Sequence, residues 1–227
     1  GILSSLVLLK RLKVEVLFSK GGYVAVAPVI AARMLKIPIL THESDRDPGL
    51  ATRIAARCAD RVLLPYHATL AEYYPGAGAR ALVSGNPVRS ELFSGDPERG
   101  RALLKVRENE PVVLVLGGSQ GARQVNRMIA EILPQLLKEA VVVHQMGQLD
   151  FQASQDPRYI TADIFHAEYP HILAAADLIL SRAGAGTLWE SGVLGKPSIL
   201  IPLGGESSRG DQVRNARLFA ERGAAVV

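Results

Sequence analysis

The sequence predicts an α/β protein whose chain forms two doubly wound units with parallel sheets. Short β-branched runs alternate with helical patterns from one end to the other, which is the signature of strand–helix–strand units. Aromatic residues make up only 5 % of the chain while Ala, Leu, Val, Ile and Gly dominate, as in strands covered by helices. Glycine-rich segments directly follow several of the strands and lead into helices. At 227 residues the chain is long for one ordinary domain and short for two complete ones.

The strands are expected in the following order. Residues 14–19 form a β-branched run that closes on Ser19-Lys20-Gly21-Gly22. Residues 38–43 open at Pro38 and end in Thr41-His42-Glu43. The run 61–65 is stopped by Pro65, and 81–85 by Gly85-Asn86-Pro87. In the second half, 111–116 is an apolar run stopped by Gly117-Gly118, and 140–145 is built on three valines. A weaker strand is expected near 158–161, then 177–181 and 198–202, and 224–227 reads as a strand beginning. The boundary is placed near residue 88, dividing the chain into units 1–88 and 89–227; a polar turn at Ser94-Gly95-Asp96-Pro97-Glu98 follows. The first unit has too few strands for a complete doubly wound domain, so further sequence is expected before residue 1; the chain closes on a strand just beginning, so more is expected after residue 227. No internal repeat or low-complexity segment is apparent.

Composition narrows the function. Apolar residues reach 48 % and charged residues 21 %, which supports buried cores and argues against disorder. The single cysteine, Cys58, allows no intrachain disulfide and no all-cysteine metal site, and reads as a small core residue. No apolar run reaches the length of a membrane span, so a soluble or peripheral protein on the reducing side of any membrane is expected. Of the net charge of +4, residues 1–88 carry +5 and the remainder −1, which favours an acidic surface or ligand at the first unit. Basic residues are not interleaved with aromatics, so nucleic acid is not an expected partner.

Several motifs carry chemistry. Val112–Leu116 opens into Gly117-Gly118-Ser119-Gln120-Gly121-Ala122, with a helix expected from about Arg123. Amides at such a helix start attract a phosphate, and Ser119 adds a hydroxyl; tight turns also need glycine without any ligand. The second signal is Ser181-Arg182-Ala183-Gly184-Ala185-Gly186-Thr187-Leu188-Trp189-Glu190. Glu190 could accept ribose hydroxyls, or Thr187 and Glu190 could form a capping box with Thr187 as N-cap. Third, Asp211, Gln212 and Asn215 are expected on one face of a helix that follows a polar loop, although Asp211 also suits a helix dipole. In the first half, Tyr23 and His42-Glu43-Ser44-Asp45 follow strand ends, where open α/β sheets bind ligands; His42 or Glu43 could bear on proton transfer, or be structural. Asp45-Arg46-Asp47 matches a metal-binding Asp-x-Asp in letters but reads as a turn beside Pro48-Gly49, and no metal site is expected.

In order and wording these motifs resemble one family. They include Gly21-Gly22-Tyr23-Val24, His42-Glu43-Ser44-Asp45 with Pro48-Gly49-Leu50, and Gly85-Asn86-Pro87-Val88-Arg89. The glycine-rich turn at 117–122, the run 181–190, and Ser208-Arg209-Gly210-Asp211-Gln212 with Asn215-Ala216 complete the set. Together they resemble the MurG family, the UDP-N-acetylglucosamine:undecaprenyl-pyrophosphoryl-MurNAc-pentapeptide N-acetylglucosaminyltransferases, along essentially the whole chain. The resemblance implies a GT-B fold, with two Rossmann-like domains, the first incomplete here. It implies inverting transfer of N-acetylglucosamine from UDP-GlcNAc to the 4-hydroxyl of MurNAc in the lipid-linked acceptor, with no cofactor.

Carried over by motif, Gly118, Ser119 and Gln120 would hold the diphosphate, with Arg89 reaching it. The backbone near Phe165-His166 would read uracil. Glu190 would bind ribose, and Thr187, Asp211, Gln212 and Asn215 would face the nucleotide sugar. Tyr23, His42, Glu43 and Asp45 would line the acceptor side. The implied location is the cytoplasmic face of the bacterial membrane, with Leu6 to Leu12 and Lys10, Arg11 and Lys13 either meeting anionic lipid or packing as an amphipathic helix.

Two departures stand out. Many members read His-Glu-Gln-Asn where this chain has His42-Glu43-Ser44-Asp45, and the family's loop Gly-Gly-Thr-Gly-Gly-His, which supplies the favoured catalytic base, is absent from residues 1–227. The chain alone is therefore expected to bind UDP-GlcNAc weakly and not to turn over. Rival readings are a diacylglycerol glycosyltransferase, a UDP-GlcNAc 2-epimerase of the same fold, or a nucleotide-binding partner subunit without activity.

Overall fold

The computed structural model describes residues 1–117, 122–204 and 209–227. The chain forms two compact units, Gly1–Pro87 and Val88–Val227.

Unit 1 alternates helices and strands: α1 (Ile2–Arg11), β1 (Leu17–Ser19), α2 (Val26–Met34), β2 (Ile39–His42), α3 (Leu50–Cys58), β3 (Arg61–Leu64), α4 (His67–Tyr73) and β4 (Ala81–Val83). The four strands are parallel and lie in sequence order, β1-β2-β3-β4. Ile39, Val62, Leu64 and Ala81 point from one sheet face into a core completed by Leu9 of α1, Val29 and Ala32 of α2, and Ala55 and Ala56 of α3. Small residues on α2 and α3 let the helices lie close to the strands. The opposite face presents Phe18 and Leu82, which are 54 % and 47 % exposed. Pairing of the first strand starts only at Leu17, later than the run 14–19 suggests. Lys13 turns left-handed (φ 51°) and Val14 donates its N–H to Leu9 O, so this stretch closes α1 before the strand can begin.

Unit 2 contains α5 (Pro97–Leu104), β5 (Val112–Leu116), α6 (Arg123–Glu139), β6 (Val141–Gln145), β7 (Tyr159–Ala162), α7 (Tyr169–Ala175), β8 (Leu178–Ser181), α8 (Ala185–Val193), β9 (Ser198–Leu200), α9 (Asp211–Glu221) and β10 (Ala225–Val226). The six strands are parallel in the order β10-β9-β8-β5-β6-β7. Every residue of β5 is buried, so successive side chains feed two different cores. Val112, Leu114 and Leu116 meet Leu104 of α5 and Ile172 and Leu173 of α7 on one face. Val113 and Val115 meet Val125 and Ile129 of α6 on the other. The apolar residues Val125, Ile129, Leu133 and Leu136 recur at helical spacing, which gives α6 its buried stripe.

Asp96 accepts the N–H groups of Glu98 and Arg99 at 2.9 and 3.1 Å, and Pro97 occupies the first helical turn, so the polar turn after the boundary is the cap of α5. α5 rests against α7 at very close range. A Cβ on Gly100 would lie 2.1 Å from the carbonyl oxygen of His171.

The two units share a device at the start of their sheets. In unit 1, Asp60 donates its N–H to Ile39 O at 2.8 Å, and its carboxylate accepts the Ile39 N–H at 2.8 Å. In unit 2, Asp177 and Val112 make the same reciprocal pair at 2.9 and 2.8 Å. In each case an aspartate immediately before one strand clasps the first residue of the neighbouring parallel strand.

Candidate functional site

The strand order of unit 2 defines where a ligand would sit. From β5 the chain crosses through α6 to β6 on one side, and from β8 it crosses through α8 to β9 on the other. The adjacent strands β5 and β8 therefore send their crossovers in opposite directions, and a crevice opens beyond their C-terminal ends. Leu116 is in register with Ser181, so the two strands end level with one another. Gly117 donates its N–H to Gln145 O at 3.2 Å, and a Cβ there would lie 3.1 Å from the Ala122 nitrogen. Gly118, Ser119 and Gln120, the expected diphosphate contacts, lie outside the described residues.

Glu190 is the centre of the described site. The capping-box reading does not hold: Gly184 is the N-cap of α8, which starts at Ala185 and so places Thr187 inside the first turn. Its carboxylate is free of helix-capping duty and is held by side chains instead. Oε1 accepts from Arg89 Nη2 at 3.2 Å, and Oε2 accepts from the Tyr169 hydroxyl at 3.0 Å. The Arg89 guanidinium also lies over the Tyr169 ring, 5.1 Å from its centroid. Burial, reinforced by the Glu190 charge, pushes the Tyr169 hydroxyl far above its ordinary pKa, so it stays a proton donor to the carboxylate. Arg89 and Glu190, 101 residues apart, are thus brought into direct contact.

The expected base-reading segment follows β7. Phe165 packs against the core shared by α5 and α7, and its N–H donates to Gln145 Oε1 at 3.1 Å. The His166 N–H donates to Glu168 Oε1 at 3.2 Å. Behind this segment His144 is fully buried, with Nδ1 against the Tyr159 hydroxyl at 2.9 Å and Nε2 against Asn126 Oδ1 at 3.0 Å. Burial lowers its pKa to about 4.

Asp211, Gln212 and Asn215 lie in the first turns of α9, and each has a different partner. Asp211 pairs with Arg209 at 3.0 Å, and Gln212 Oε1 accepts the Leu203 N–H at 2.9 Å. Asn215 is buried and donates to Ala183 O at 3.5 Å. Gln212 and Asn215 thereby tie α9 to the loops after β9 and β8.

In unit 1, Tyr23 opens a short 3-10 turn and is 87 % exposed. His42 is buried, and both ring nitrogens are engaged: Lys20 Nζ lies 2.9 Å from Nδ1 and Gly85 O lies 2.9 Å from Nε2. The ammonium can only donate, so Nδ1 accepts and Nε2 carries the proton. Burial holds the His42 pKa below its ordinary value. Glu43 accepts three backbone N–H groups, from Ser44 at 2.8 Å and from Asp45 and Gly49 at 3.1 Å. Glu43 thus shapes the loop 43–49, while His42 is held between Lys20 and Gly85. Asp45 lies in that loop, half-buried. Asn86 Nδ2 closes it by donating to Ser44 O at 2.8 Å. Among the described residues no three His, Cys, Asp or Glu side chains form a group that could hold a metal ion.

Sequence reasoning missed Lys20, Gln145 and Tyr169 as site residues. Two signals were available: His144-Gln145 places two polar residues at the end of a valine strand, and Tyr169 precedes Pro170 at a helix start.

The chain is 43 % identical over 241 residues to the UDP-N-acetylglucosamine--N-acetylmuramyl-(pentapeptide) pyrophosphoryl-undecaprenol N-acetylglucosamine transferase of Treponema denticola; the match covers 100 % of this chain and 61 % of that protein. The solved structure of Acinetobacter baumannii MurG is similar at a TM-score of 0.70 and 28 % identity, covering 99 % of this chain and 62 % of that one. The UDP-GlcNAc 2-epimerase of Neisseria meningitidis, solved with UDP-GlcNAc bound, gives a TM-score of 0.73 at 16 % identity, covering 100 % of this chain and 67 % of that one, a likeness of fold alone. The chain thus spans about three-fifths of the length of its curated relatives. The model of the glycosyltransferase family 28 N-terminal domain matches residues 1–64, and that of the family 28 C-terminal domain matches residues 112–227. The chain belongs to glycosyltransferase family 28, and its two parallel-sheet units are those of a GT-B fold.

Proposed function

We propose that this chain is the larger part of an enzyme that transfers N-acetylglucosamine from UDP-GlcNAc to the 4-hydroxyl of MurNAc in undecaprenyl-pyrophosphoryl-MurNAc-pentapeptide, a step of peptidoglycan synthesis. The observation that carries this reading is the crevice between β5 and β8, flanked by the Arg89–Glu190 pair. In it, turn amides and the α6 N-terminus would face the diphosphate, Arg89 would add positive charge to the leaving UDP, and Glu190 would accept ribose hydroxyls. The backbone at Phe165-His166 would read the uracil edge. Transfer with inversion needs a base for the acceptor hydroxyl and charge stabilisation on the diphosphate. These groups would meet the second demand.

Unit 1 would take the acceptor, with Tyr23 and the loop 43–49 at the strand ends. Its α1 and the residues just after it expose Leu3, Val7, Leu8 and Leu12 next to Lys10, Arg11 and Lys13. Such an apolar stripe edged with cations suits peripheral attachment to an anionic membrane, here the cytoplasmic face. No helix among the described residues is long and apolar enough to cross a membrane.

The test is calorimetry of UDP-GlcNAc, with UDP-glucose and GDP-mannose as controls, on this chain and on Glu190→Ala. Selective binding lost in the variant supports the donor site. Absence of binding, both here and in the full-length gene product, would overturn it. Formation of UDP-ManNAc without acceptor would replace the transferase reading by an epimerase.

A further inference from the structure

Glu190 has two partners of unlike character. Tyr169 is buried, its ring packed in the same core as Ile172 and Leu173, and its hydroxyl is aimed at Oε2. Arg89 is 59 % exposed and reaches Oε1 at the end of a long flexible side chain, while Glu190 itself is only 19 % exposed. One partner is fixed by packing and the other can be exchanged.

We propose that Tyr169 is a positioning residue that sets the affinity of unit 2 for the hydroxyls of the nucleotide sugar. It pins one oxygen of Glu190 so that the other is presented to them. This rests on the reading of Glu190 as the ribose-binding carboxylate. The terminal torsion of a glutamate is broad, so an unrestrained carboxylate spreads over many orientations. The Tyr169 hydroxyl restricts that torsion with a charge-assisted hydrogen bond. A diol arriving at Oε1 then displaces the Arg89 guanidinium rather than Tyr169. The guanidinium, which lies over the Tyr169 ring while paired with Glu190, is then released to turn to an anionic ligand. Phenylalanine at this position would fill the core equally well but would leave Oε2 without its donor.

The experiment compares UDP with 2′,3′-dideoxy-UDP by calorimetry on the full chain and on Tyr169→Phe, with thermal melting recorded for both proteins. The expected result is a loss of UDP affinity of roughly 10- to 150-fold, the worth of one hydrogen bond to a charged group. Binding of the dideoxy nucleotide should move by less than about 2-fold, since it makes no use of the pinned oxygen. Equal losses for both nucleotides would show a merely structural role and overturn the proposal, as would an unchanged UDP affinity. Should Tyr169→Phe fail to fold, Tyr169→Leu tests the same loss of selectivity by the same criteria. If the unaltered chain binds both nucleotides equally, the ribose-binding reading of Glu190 fails first, and the proposal falls with it.

Discussion

Gln145 and Phe165 are joined by a hydrogen bond of 3.1 Å from the Phe165 N–H to the Gln145 side-chain oxygen, while the Gln145 carbonyl accepts the N–H of Gly117 at 3.2 Å. One buried residue therefore fixes both the segment proposed to read uracil and the mouth of the glycine-rich turn. Replacing it by alanine removes only the first of these bonds. We expect Gln145→Ala to weaken UDP binding by roughly 10-fold and to cost about 1–2 kcal/mol of stability, the penalty for a poorly satisfied amide. Gln145→Glu keeps the acceptor oxygen and should recover most of the binding. Calorimetry and urea unfolding of the two variants check this.

His144 makes stability depend on pH. Its folded-state pKa of about 4 lies below the ordinary value of 6.5, so between these values the unfolded chain binds a proton that the folded chain refuses. The contribution of the neutral imidazole is complete above about pH 6.5 and is lost as pH falls towards 4, an effect on the order of 3 kcal/mol. Urea unfolding at pH 7 and pH 4.5 should show a steeper loss for the unaltered protein than for His144→Gln, which has no titrating group.

Gly100 sits where α5 meets α7, and no side chain fits there. Gly100→Ala should destabilise unit 2 by at least about 2 kcal/mol, because backbone rather than a flexible side chain would have to retreat. A urea midpoint within error of the unaltered protein would contradict this packing.

Glu43 holds the loop 43–49 through three backbone N–H groups. In Glu43→Ala the amides of Ser44, Asp45 and Gly49 should exchange with deuterium faster by roughly 10-fold or more, the signature of local opening. UDP affinity, proposed to reside in unit 2, should stay unchanged. Retained protection would mean that the loop is held by Asn86 and Lys20 instead.

Much of this was legible in the sequence, and the limits have physical causes. The strand at Val112–Leu116 and the helix start at Arg123 follow from an apolar run meeting glycines, a local signal. Glu190 stands out in the letters, but its surroundings do not. A Thr-x-x-Glu spacing looks the same whether it caps a helix or lies one turn inside it, and only the position of Gly184 decides. Tyr169 escaped because its relation to Glu190 is made by folding across 21 residues, with no pattern in the letters between. Asp211, Gln212 and Asn215 fall on a helix start as their spacing predicts, but that spacing does not show that Gln212 and Asn215 also tie α9 to neighbouring loops.

The aspartate clasps, Asp60 on Ile39 and Asp177 on Val112, set which residue stands beside which at the starting edge of each sheet. Alignment of the central strands is thereby fixed at the edge opposite the chemistry. The loops at the other edge are relieved of that duty: they can lengthen, shorten or change composition without sliding one strand past its neighbour. A scaffold anchored in this way can alter what it grips while its framework stays in place.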